Sequence, residues 1–365
     1  MDIIQKPIAA SPATEGMSIV SIIDTLFSAF NAARLREGAS LWSRVMSRPD
    51  VTVGVALSGA LTPAGLGVSC LVPLIKRGFI DYITSTGANL YHDMHFALGL
   101  NLFQSHPEVD DRILLKHGLV RIYDILVKND VLSETDAFIK ELCRKPEFDR
   151  RLGSAEIHHL LGKYLHSKQK ELHLGDLSIL AAAYEMEVPI YAPSPGDSAI
   201  GMEIAAAALD GASGLSWDIN RDVNELAGLV FLSRQNGGRT GVVILGGGAP
   251  KNYILQTECY LQYTLKTDNR GHDYFLQITD ARPDTGGLSG ATPSEAVSWS
   301  KLKANELPNA VVCYTDSTIA LPLLTAYLIE AQGSRDPKRL YRRRDEAVSL
   351  MTKMRRLNAR QEKAL

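Results

Sequence analysis

Six short apolar runs recur along the chain and alternate with stretches of helical periodicity. The runs are residues 51–57, 79–84, 188–191, 241–245, 273–279 and 310–314. Apolar, β-branched runs of this length are typical of buried strands, and strands that alternate with helices form parallel sheets. Five of the six runs end in a loop rich in glycine, aspartate and serine, where open α/β sheets bind ligands. The pattern predicts a Rossmann-like α/β fold: a doubly wound, mostly parallel sheet of six or more strands with helices on both faces.

The composition is that of an ordinary globular protein. The 365 residues are 45% hydrophobic and 22% charged, and the formal net charge is −2. This charge gives the molecule no polyanion-binding character, so no nucleic-acid partner is expected. Four well-separated cysteines indicate free thiols in a reducing compartment. We find no signal peptide and no apolar run of membrane-spanning length, so we expect a cytoplasmic protein without membrane association.

The sequence divides into three predicted parts. Residues 1–17 are rich in proline, alanine and serine, and we expect a flexible N-terminal segment. Residues 18–332 contain all six strand candidates and are predicted to form a single domain. Residues 333–365 are predicted to be a basic helical extension outside the core, because lysine and arginine outnumber acids eleven to four from residue 334 onward.

One lysine lies in a chemically suggestive setting. Lys301 follows Trp299 by two residues and Glu295 by six, shortly after a glycine-rich run. A lysine amine that an indole partly shields from water is a better nucleophile, and it can form imines with carbonyl compounds. On this stretch alone, an amphipathic helix with an ordinary surface lysine is the alternative interpretation.

The loops after the strand candidates contain glycines and carboxylates. Residues 246–248 are three glycines between an apolar run and a helical stretch, and such a loop can direct backbone N–H groups towards a phosphate. A plain tight turn is the alternative. His92, Asp93 and His95 resemble part of a metal site, but nothing downstream completes it, so no metal is expected. The carboxylates expected along the ligand-binding edge are Asp93, Asp197, Glu203, Asp284, Glu295 and Asp316.

Several of these stretches closely resemble deoxyhypusine synthase. The motifs that carry the resemblance are the Ser-Trp-x-Lys motif at 298–301, the glycine strand 243–248 with Lys251, the loop 195–197, and the segments 314–317 and 321–324. They match the family in order and spacing between about residues 18 and 332, most strongly from 187 onward. The lysine motif is specific when it occurs together with the glycine strand.

The resemblance implies an NAD-dependent transfer of the 4-aminobutyl group of spermidine. The polyamine is oxidised, 1,3-diaminopropane leaves, and the butylimine is carried by Lys301 to an acceptor amine before the imine is reduced. The NAD-binding residues that the resemblance implies are Ser58, Gly59, Thr84, Asp197, Gly246, Ala281, Gly286 and Asp316. The implied substrate-binding residues are Glu295, Trp299, Asn252, Glu203, Asp284 and Asp93.

The sequence departs from the family pattern in the polyamine site. The family histidine after the glycine strand is Asn252 here, and two polyamine-binding aspartates are replaced by Met202 and Leu288. Glu203 and Asp284 are each one residue from an expected acid and are the candidates to replace it. Because an ammonium that loses a buried carboxylate partner is destabilised, we expect a changed substrate or pose with the imine chemistry retained.

Two acceptors and one non-enzymatic role remain open. The acceptor is either the lysine of the hypusine-carrying translation factor or a free diamine such as putrescine, which would give homospermidine. The altered pocket favours the diamine. A non-catalytic NAD or polyamine sensor on the same fold is the third hypothesis, and the retained Lys301 argues against it. The resemblance also implies a homotetramer whose paired subunits share active sites.

Overall fold

The computed structural model describes residues 7–267 and 271–364. Residues 1–6, at the start of the predicted flexible segment, lie outside this range. The α-helices are α1 Ile19–Leu26, α2 Phe30–Ser40, α3 Val72–Lys76, α4 Gly87–Ala97, α5 Asp111–Lys116, α6 Asn129–Cys143, α7 Ser154–Glu171, α8 Ile179–Met186, α9 Ala199–Leu209, α10 Ile219–Ser233, α11 Gly248–Cys259, α12 Pro293–Ser298, α13 Ser317–Gln332 and α14 Arg344–Ala364. The strands are β1 Val51–Leu57, β2 Tyr82–Ser85, β3 Phe103–Gln104, β4 Leu119–Ile122, β5 Ile125–Lys128, β6 Arg151–Leu152, β7 Ile190–Tyr191, β8 Ser216–Trp217, β9 Arg239–Leu245, β10 Tyr274–Thr279 and β11 Ala310–Tyr314. None of the helices in the described ranges is long and apolar enough to cross a membrane.

Six parallel strands form the central sheet in the order β11-β10-β9-β1-β2-β7. Each overlaps one of the six predicted runs, and the predicted fold class is confirmed. The chain moves outward from β1 to β2 and β7, and then returns to the opposite side of β1 with β9, β10 and β11. The strand order therefore reverses between β1 and β9, which pair from Val51 and Arg239 to Leu57 and Leu245. Open α/β sheets bind ligands outside the carboxyl ends of the strands at such a reversal.

The central strands contribute to two hydrophobic cores because successive side chains point to opposite faces. Val55 and Val243 pack with residues of α4, α7, α8 and α13, whereas their neighbours Ala56 and Ile244 pack with residues of α10, α11 and α14. All seven residues of β1 are buried. Burial on both faces explains why β1 is a continuous apolar run rather than an alternating one.

The predictions missed some strand boundaries and the small sheets. The predicted strand 79–84 begins at Tyr82, and the preceding Phe79 and Ile80 are buried in the core outside the strand. Residues 100–175, predicted to be mainly helical, also contain β3, β4 and β5 in an antiparallel sheet, and β6 pairs with β8. These strands have two to four residues each and are mostly not fully buried, so no continuous apolar run marks them.

The C-terminal extension is attached to the domain by buried ion pairs. Arg335 Nη2 lies 2.5 Å from Asp81 Oδ2, and Arg344 Nη1 lies 2.9 Å from Glu225 Oε2 on α10. Ala347 of α14 is fully buried and belongs to the same hydrophobic core as α10. The sequence predicts an extension outside the core, whereas part of the extension in the structure completes the core.

Candidate active site

The helix predicted to carry the lysine ends before it. Helix α12 begins after Thr292, whose Oγ1 accepts a hydrogen bond from the Glu295 N–H at 3.2 Å, and Pro293 occupies its first position. Both features favour a helix start here. The helix stops at Ser298. Lys301 therefore lies beyond the helix that carries Glu295, and not on it as the sequence predicts.

A left-handed residue sets the direction of the lysine. Ser300 has a φ angle of +57°, a conformation that non-glycine residues adopt rarely. The next residue is fixed on both sides, because the Lys301 N–H donates to the Ala296 carbonyl at 2.9 Å and the Lys301 carbonyl accepts the His272 N–H at 3.0 Å. The backbone of Lys301 is thus held between α12 and the segment that leads into β10.

The amine of Lys301 points towards α11. Its Nζ donates a hydrogen bond to Asn252 Oδ1 at 3.0 Å and lies 5.7 Å from the centre of the Trp299 ring. The lysine is half-buried, whereas Trp299 is 57% exposed. We expected the indole to shield the lysine from water. In the structure the indole lies beside the amine and is itself more than half exposed to solvent, so it shields the amine only in part.

A cavity of about 270 Å³ lies in front of the Lys301 amine. It brings together four of the predicted residues: Lys301, Asn252, Glu295 and Trp299. The remaining lining residues are Lys251, Leu255, Gln256, Phe275, Leu288, Ala291, Thr292 and Ala296. The lining is mainly apolar, with two amines, one carboxylate and two amides, which suits an aliphatic amine substrate.

Lys251 is a second amine in this cavity, and no role for it was predicted from the sequence. It is 3% exposed, and its Nζ donates to Gln277 Oε1 at 2.9 Å and to the carbonyls of Ser289 at 3.1 Å and Ala291 at 2.7 Å. Burial lowers the pKa of Lys251 to about 8; the nearby Glu295 carboxylate opposes this shift, and the charge of Lys301 adds to it. The amine joins α11 to β10 and to the loop that forms one cavity wall.

The glycine loop lies at the predicted position, but its donors are already used. The N–H groups of Gly246, Gly247 and Gly248 donate to the Ile278 carbonyl at 2.8 Å, Ser58 Oγ at 3.0 Å and Ser289 Oγ at 2.9 Å. All three N–H groups are therefore bonded within the protein. The sequence suggested instead that they are directed at a phosphate. The glycines instead allow close packing between the carboxyl ends of β1, β9 and β10.

The other predicted cofactor residues follow the carboxyl ends of the sheet strands. Gly59 has a φ of +60°, accepts the Thr86 hydroxyl through its carbonyl at 2.6 Å, and leaves open space where a side chain would point. Asp197, Ala281, Gly286 and Asp316 are exposed or half-buried in loops along the same edge. Asp316 also caps α13 by accepting the Thr318 N–H at 2.7 Å. Thr84 is different: it is fully buried, and its hydroxyl donates to the Pro250 carbonyl at 3.0 Å.

Asp93 is enclosed in the protein and does not face the cavity. It is 1% exposed, and its carboxylate accepts the Ser178 hydroxyl at 2.5 Å and the N–H groups of Ile179 at 2.8 Å and Leu180 at 3.1 Å. Burial raises the pKa of Asp93 to about 7, against the hydrogen bonds from Ser178 and the two N–H groups. The carboxylate therefore stabilises the N-terminus of α8, and its predicted contact with a polyamine is not found.

Two further acids are directed elsewhere. Glu203 Oε2 lies 3.2 Å from Lys140 Nζ, between α9 and α6. Asp284 is exposed and pairs with Arg282 at 2.5 Å. Neither acid lines the cavity, so they do not take the place of the family acids there. Among the residues that the structure describes, Glu295 is the carboxylate in the cavity wall.

Comparison with known proteins agrees with the resemblance. The family model described as deoxyhypusine synthase matches residues 19–328. The chain belongs to the deoxyhypusine synthase family. A deoxyhypusine synthase-like protein of Nostoc punctiforme is 55% identical over 348 residues, which cover 95% of this chain and 89% of that protein. A probable deoxyhypusine synthase 2 of Methanosarcina mazei is 37% identical, over 86% of this chain and 87% of that protein.

A solved structure supports the fold alone. A putative deoxyhypusine synthase from Entamoeba histolytica superposes with a TM-score of 0.58 and 13% identity, covering 88% of this chain and 96% of that one. Membership of the deoxyhypusine synthase family identifies the chain as a transferase.

Proposed function

We propose that the protein is an NAD-dependent aminobutyl transferase that moves the butylamine group of spermidine through an imine on Lys301 to an acceptor amine. One observation carries this proposal. The Lys301 amine is hydrogen-bonded to Asn252 in a cavity that Glu295 and Trp299 also line. A primary amine held in a largely apolar cavity beside a carboxylate is suited to imine chemistry on an aliphatic amine.

The residues at the carboxyl edge of the sheet fit a dinucleotide in two respects. The strand order reverses between β1 and β9, and Gly59 leaves room beside its backbone at the end of β1. A bound nicotinamide dinucleotide would supply the hydride acceptor for the first half of the reaction and the hydride donor for the second. Ser58, Gly59, Gly246, Asp197, Ala281, Gly286 and Asp316 are the residues proposed to hold it. Thr84 is proposed to act indirectly, because its hydroxyl is bonded to the carbonyl of Pro250 on α11.

The donor is proposed to lie along the cavity with one ammonium at Glu295. Leu288 and Phe275 line the cavity and would contact the methylene groups. Asn252 Oδ1, which accepts the Lys301 amine, would orient that amine towards the carbon it attacks. Lys301 then releases the fragment to the acceptor when the acceptor's amine replaces it in the imine.

We propose a free diamine as the acceptor. The aspartates of the family pattern are replaced by Met202 and Leu288, and Glu203 and Asp284 have other partners. This loss of carboxylates supports a substrate that differs from the family's protein lysine, and putrescine would give homospermidine. A protein lysine that becomes deoxyhypusine is the second candidate, which family membership favours.

Incubation with NAD and spermidine labelled in its butyl group tests the proposal. Putrescine and a hypusine-type translation factor are added in separate reactions, and borohydride is added to a third sample without acceptor. We expect labelled homospermidine and a borohydride-stable adduct at Lys301, which a Lys301→Ala variant lacks. Label on the translation factor alone would identify the second acceptor. No adduct with any polyamine would instead favour a non-catalytic NAD or polyamine sensor.

We further propose a homotetramer, on the basis of the resemblance, and a cytoplasmic location, on the basis of the four free cysteines. Exposed large apolar side chains support an interface, and Phe30 and Leu209 are both more than 90% exposed. Sedimentation at several protein concentrations measures the assembly directly. A species of monomer mass throughout would contradict it.

A further inference from the structure

A second groove begins next to the lysine cavity. It has a volume of about 390 Å³ and lies between α10, α11 and the π-helical turn Tyr260–Thr264 that continues α11. Its lining residues are Val223, Leu226, Tyr253, Gln256, Thr257, Cys259, Tyr260, Tyr263 and Thr264. Gln256 lines both this groove and the lysine cavity. This exposed side chain on α11 therefore borders both spaces.

The wall of this tyrosine groove is bonded to the turn that carries the lysine. The Tyr263 hydroxyl and Ser300 Oγ share a hydrogen bond of 2.8 Å, and Cys259 Sγ donates to the Trp299 carbonyl at 3.2 Å. Ser300 is the left-handed residue immediately before Lys301. A molecule in the groove therefore contacts side chains that position the catalytic amine.

The side chains that line the groove favour one class of ligand over others. None of the groove's lining residues is an acid or a base, and three are tyrosines. Tyrosine rings accept methylene chains on their faces and attract ammonium groups through cation–π interaction. The volume lies in the range of small-molecule sites, whereas a protein partner needs about 800 Å² of surface. An anionic ligand would find no cationic side chain among these residues.

We propose that the tyrosine groove is the acceptor subsite and that it binds a free aliphatic diamine. This inference rests on the proposed function and adds to it the place where the second substrate binds. The diamine's methylene chain packs on Tyr253 and Tyr260, its distal ammonium lies at the tyrosine rings, and its reacting amine passes Gln256 into the lysine cavity. The donor and the acceptor then approach Lys301 from different sides.

The transfer step is balanced without further reagents. The unprotonated amine of the diamine attacks the carbon of the Lys301 imine and forms a new carbon–nitrogen bond. The bond from that carbon to Lys301 Nζ then breaks, two protons in all move from the incoming nitrogen to Nζ, and the lysine leaves as a free amine. The new imine is reduced by the nicotinamide hydride of the proposed function and one proton from solvent.

Two variants in the groove test the inference in the full-length protein. Tyr260→Leu removes one ring, and Val223→Phe fills part of the groove from α10; neither residue lines the lysine cavity. Tyr123→Leu is the control, because Tyr123 is an exposed tyrosine in the turn between β4 and β5. The measurements are the borohydride-trapped Lys301 adduct without acceptor, and the KM and kcat for putrescine at saturating spermidine.

We expect Tyr260→Leu to raise the KM for putrescine about tenfold, as the loss of one cation–π contact of roughly 1.4 kcal/mol would do. Val223→Phe should raise it to a similar extent, because the larger side chain occupies space that the methylene chain of the diamine needs. The rate of adduct formation and the KM for spermidine should match those of the wild type and of Tyr123→Leu. An unchanged KM for putrescine, with adduct formed normally, would overturn the subsite. A change in KM for a protein-lysine acceptor, with no change in the KM for putrescine, would also overturn the subsite. If the wild type forms no adduct at all, the proposed function fails rather than the location of the acceptor.

Discussion

The buried amine of Lys251 gives the sharpest test of how the cavity is held together. Its three hydrogen bonds join α11 to Gln277 on β10 and to the carbonyls of Ser289 and Ala291. Replacement of Lys251 by methionine fills a similar volume but leaves these three acceptors without their donor. At about 1 kcal/mol for each lost hydrogen bond, we expect the free energy of unfolding to fall by roughly 3 kcal/mol.

The substitution should also slow the chemistry. Ala291 and Leu288 line the cavity, so release of their loop displaces the wall that the substrate contacts. Displacement of a bound substrate by about 1 Å is sufficient to slow a reaction on the order of 10²-fold. We therefore expect Lys251→Met to form the borohydride-trapped Lys301 adduct about 10²-fold more slowly. The adduct is quantified by mass spectrometry, and stability by urea denaturation.

A matched substitution separates the local effect from general destabilisation. Lys303 is also partly buried and lies 2.5 Å from the buried carboxylate of Asp273, but it does not line the cavity. Lys303→Met should lose a similar amount of stability and form the adduct at nearly the wild-type rate. This role of Lys251 in holding the cavity wall is refuted if Lys251→Met forms the adduct at the wild-type rate, or if both variants slow adduct formation equally.

Three further predictions concern residues outside the cavity. Asp93→Asn should lower the free energy of unfolding by about 2 kcal/mol, because one acceptor at the start of α8 is lost; a raised KM for spermidine would contradict its structural role. Arg335→Met leaves the buried Asp81 without its cation, and urea denaturation should show a loss of about 3 kcal/mol. Burial raises the pKa of Asp222 from 3.8 to about 7, so the native state binds more protons than the unfolded chain between these values. The free energy of unfolding should therefore fall as pH rises across this window; denaturation curves of Asp222→Asn should lack this part of the slope, and an identical slope would exclude the shift.

The central sheet was predictable because burial on both faces leaves a strong local pattern. The run 51–57 is apolar except for Thr52, and all of its residues are buried in β1. The short strands β3 and β4 have no such pattern, because their side chains are exposed or half-buried. The sequence of a short, half-exposed strand resembles that of a loop or a helix end too closely for the strand to be recognised.

The candidate site could be predicted where residues close together in the sequence form it. It could not be predicted where the contacting residues lie far apart in the sequence. Glu295 and Lys301 belong to one short segment and line one cavity. Asp93 instead finds its partner 85 residues away, at Ser178, and no local pattern reveals that contact. The turn at Ser300 was also unpredictable, because its φ of +57° is usual for glycine and unusual for serine.

The distribution of charge in the cavity connects these findings to substrate choice. Lys251 is enclosed there by three neutral acceptors, and Glu295 is the carboxylate that lines the cavity within the described ranges. A polyamine that enters this space brings further positive charge, and a single carboxylate can balance only part of it. Leu288, in place of a family aspartate, removes another acid from the wall. One ammonium at Glu295 and an apolar chain near Leu288 would match this lining. In our proposal a second cationic substrate is recognised elsewhere, at the tyrosine rings of the second groove.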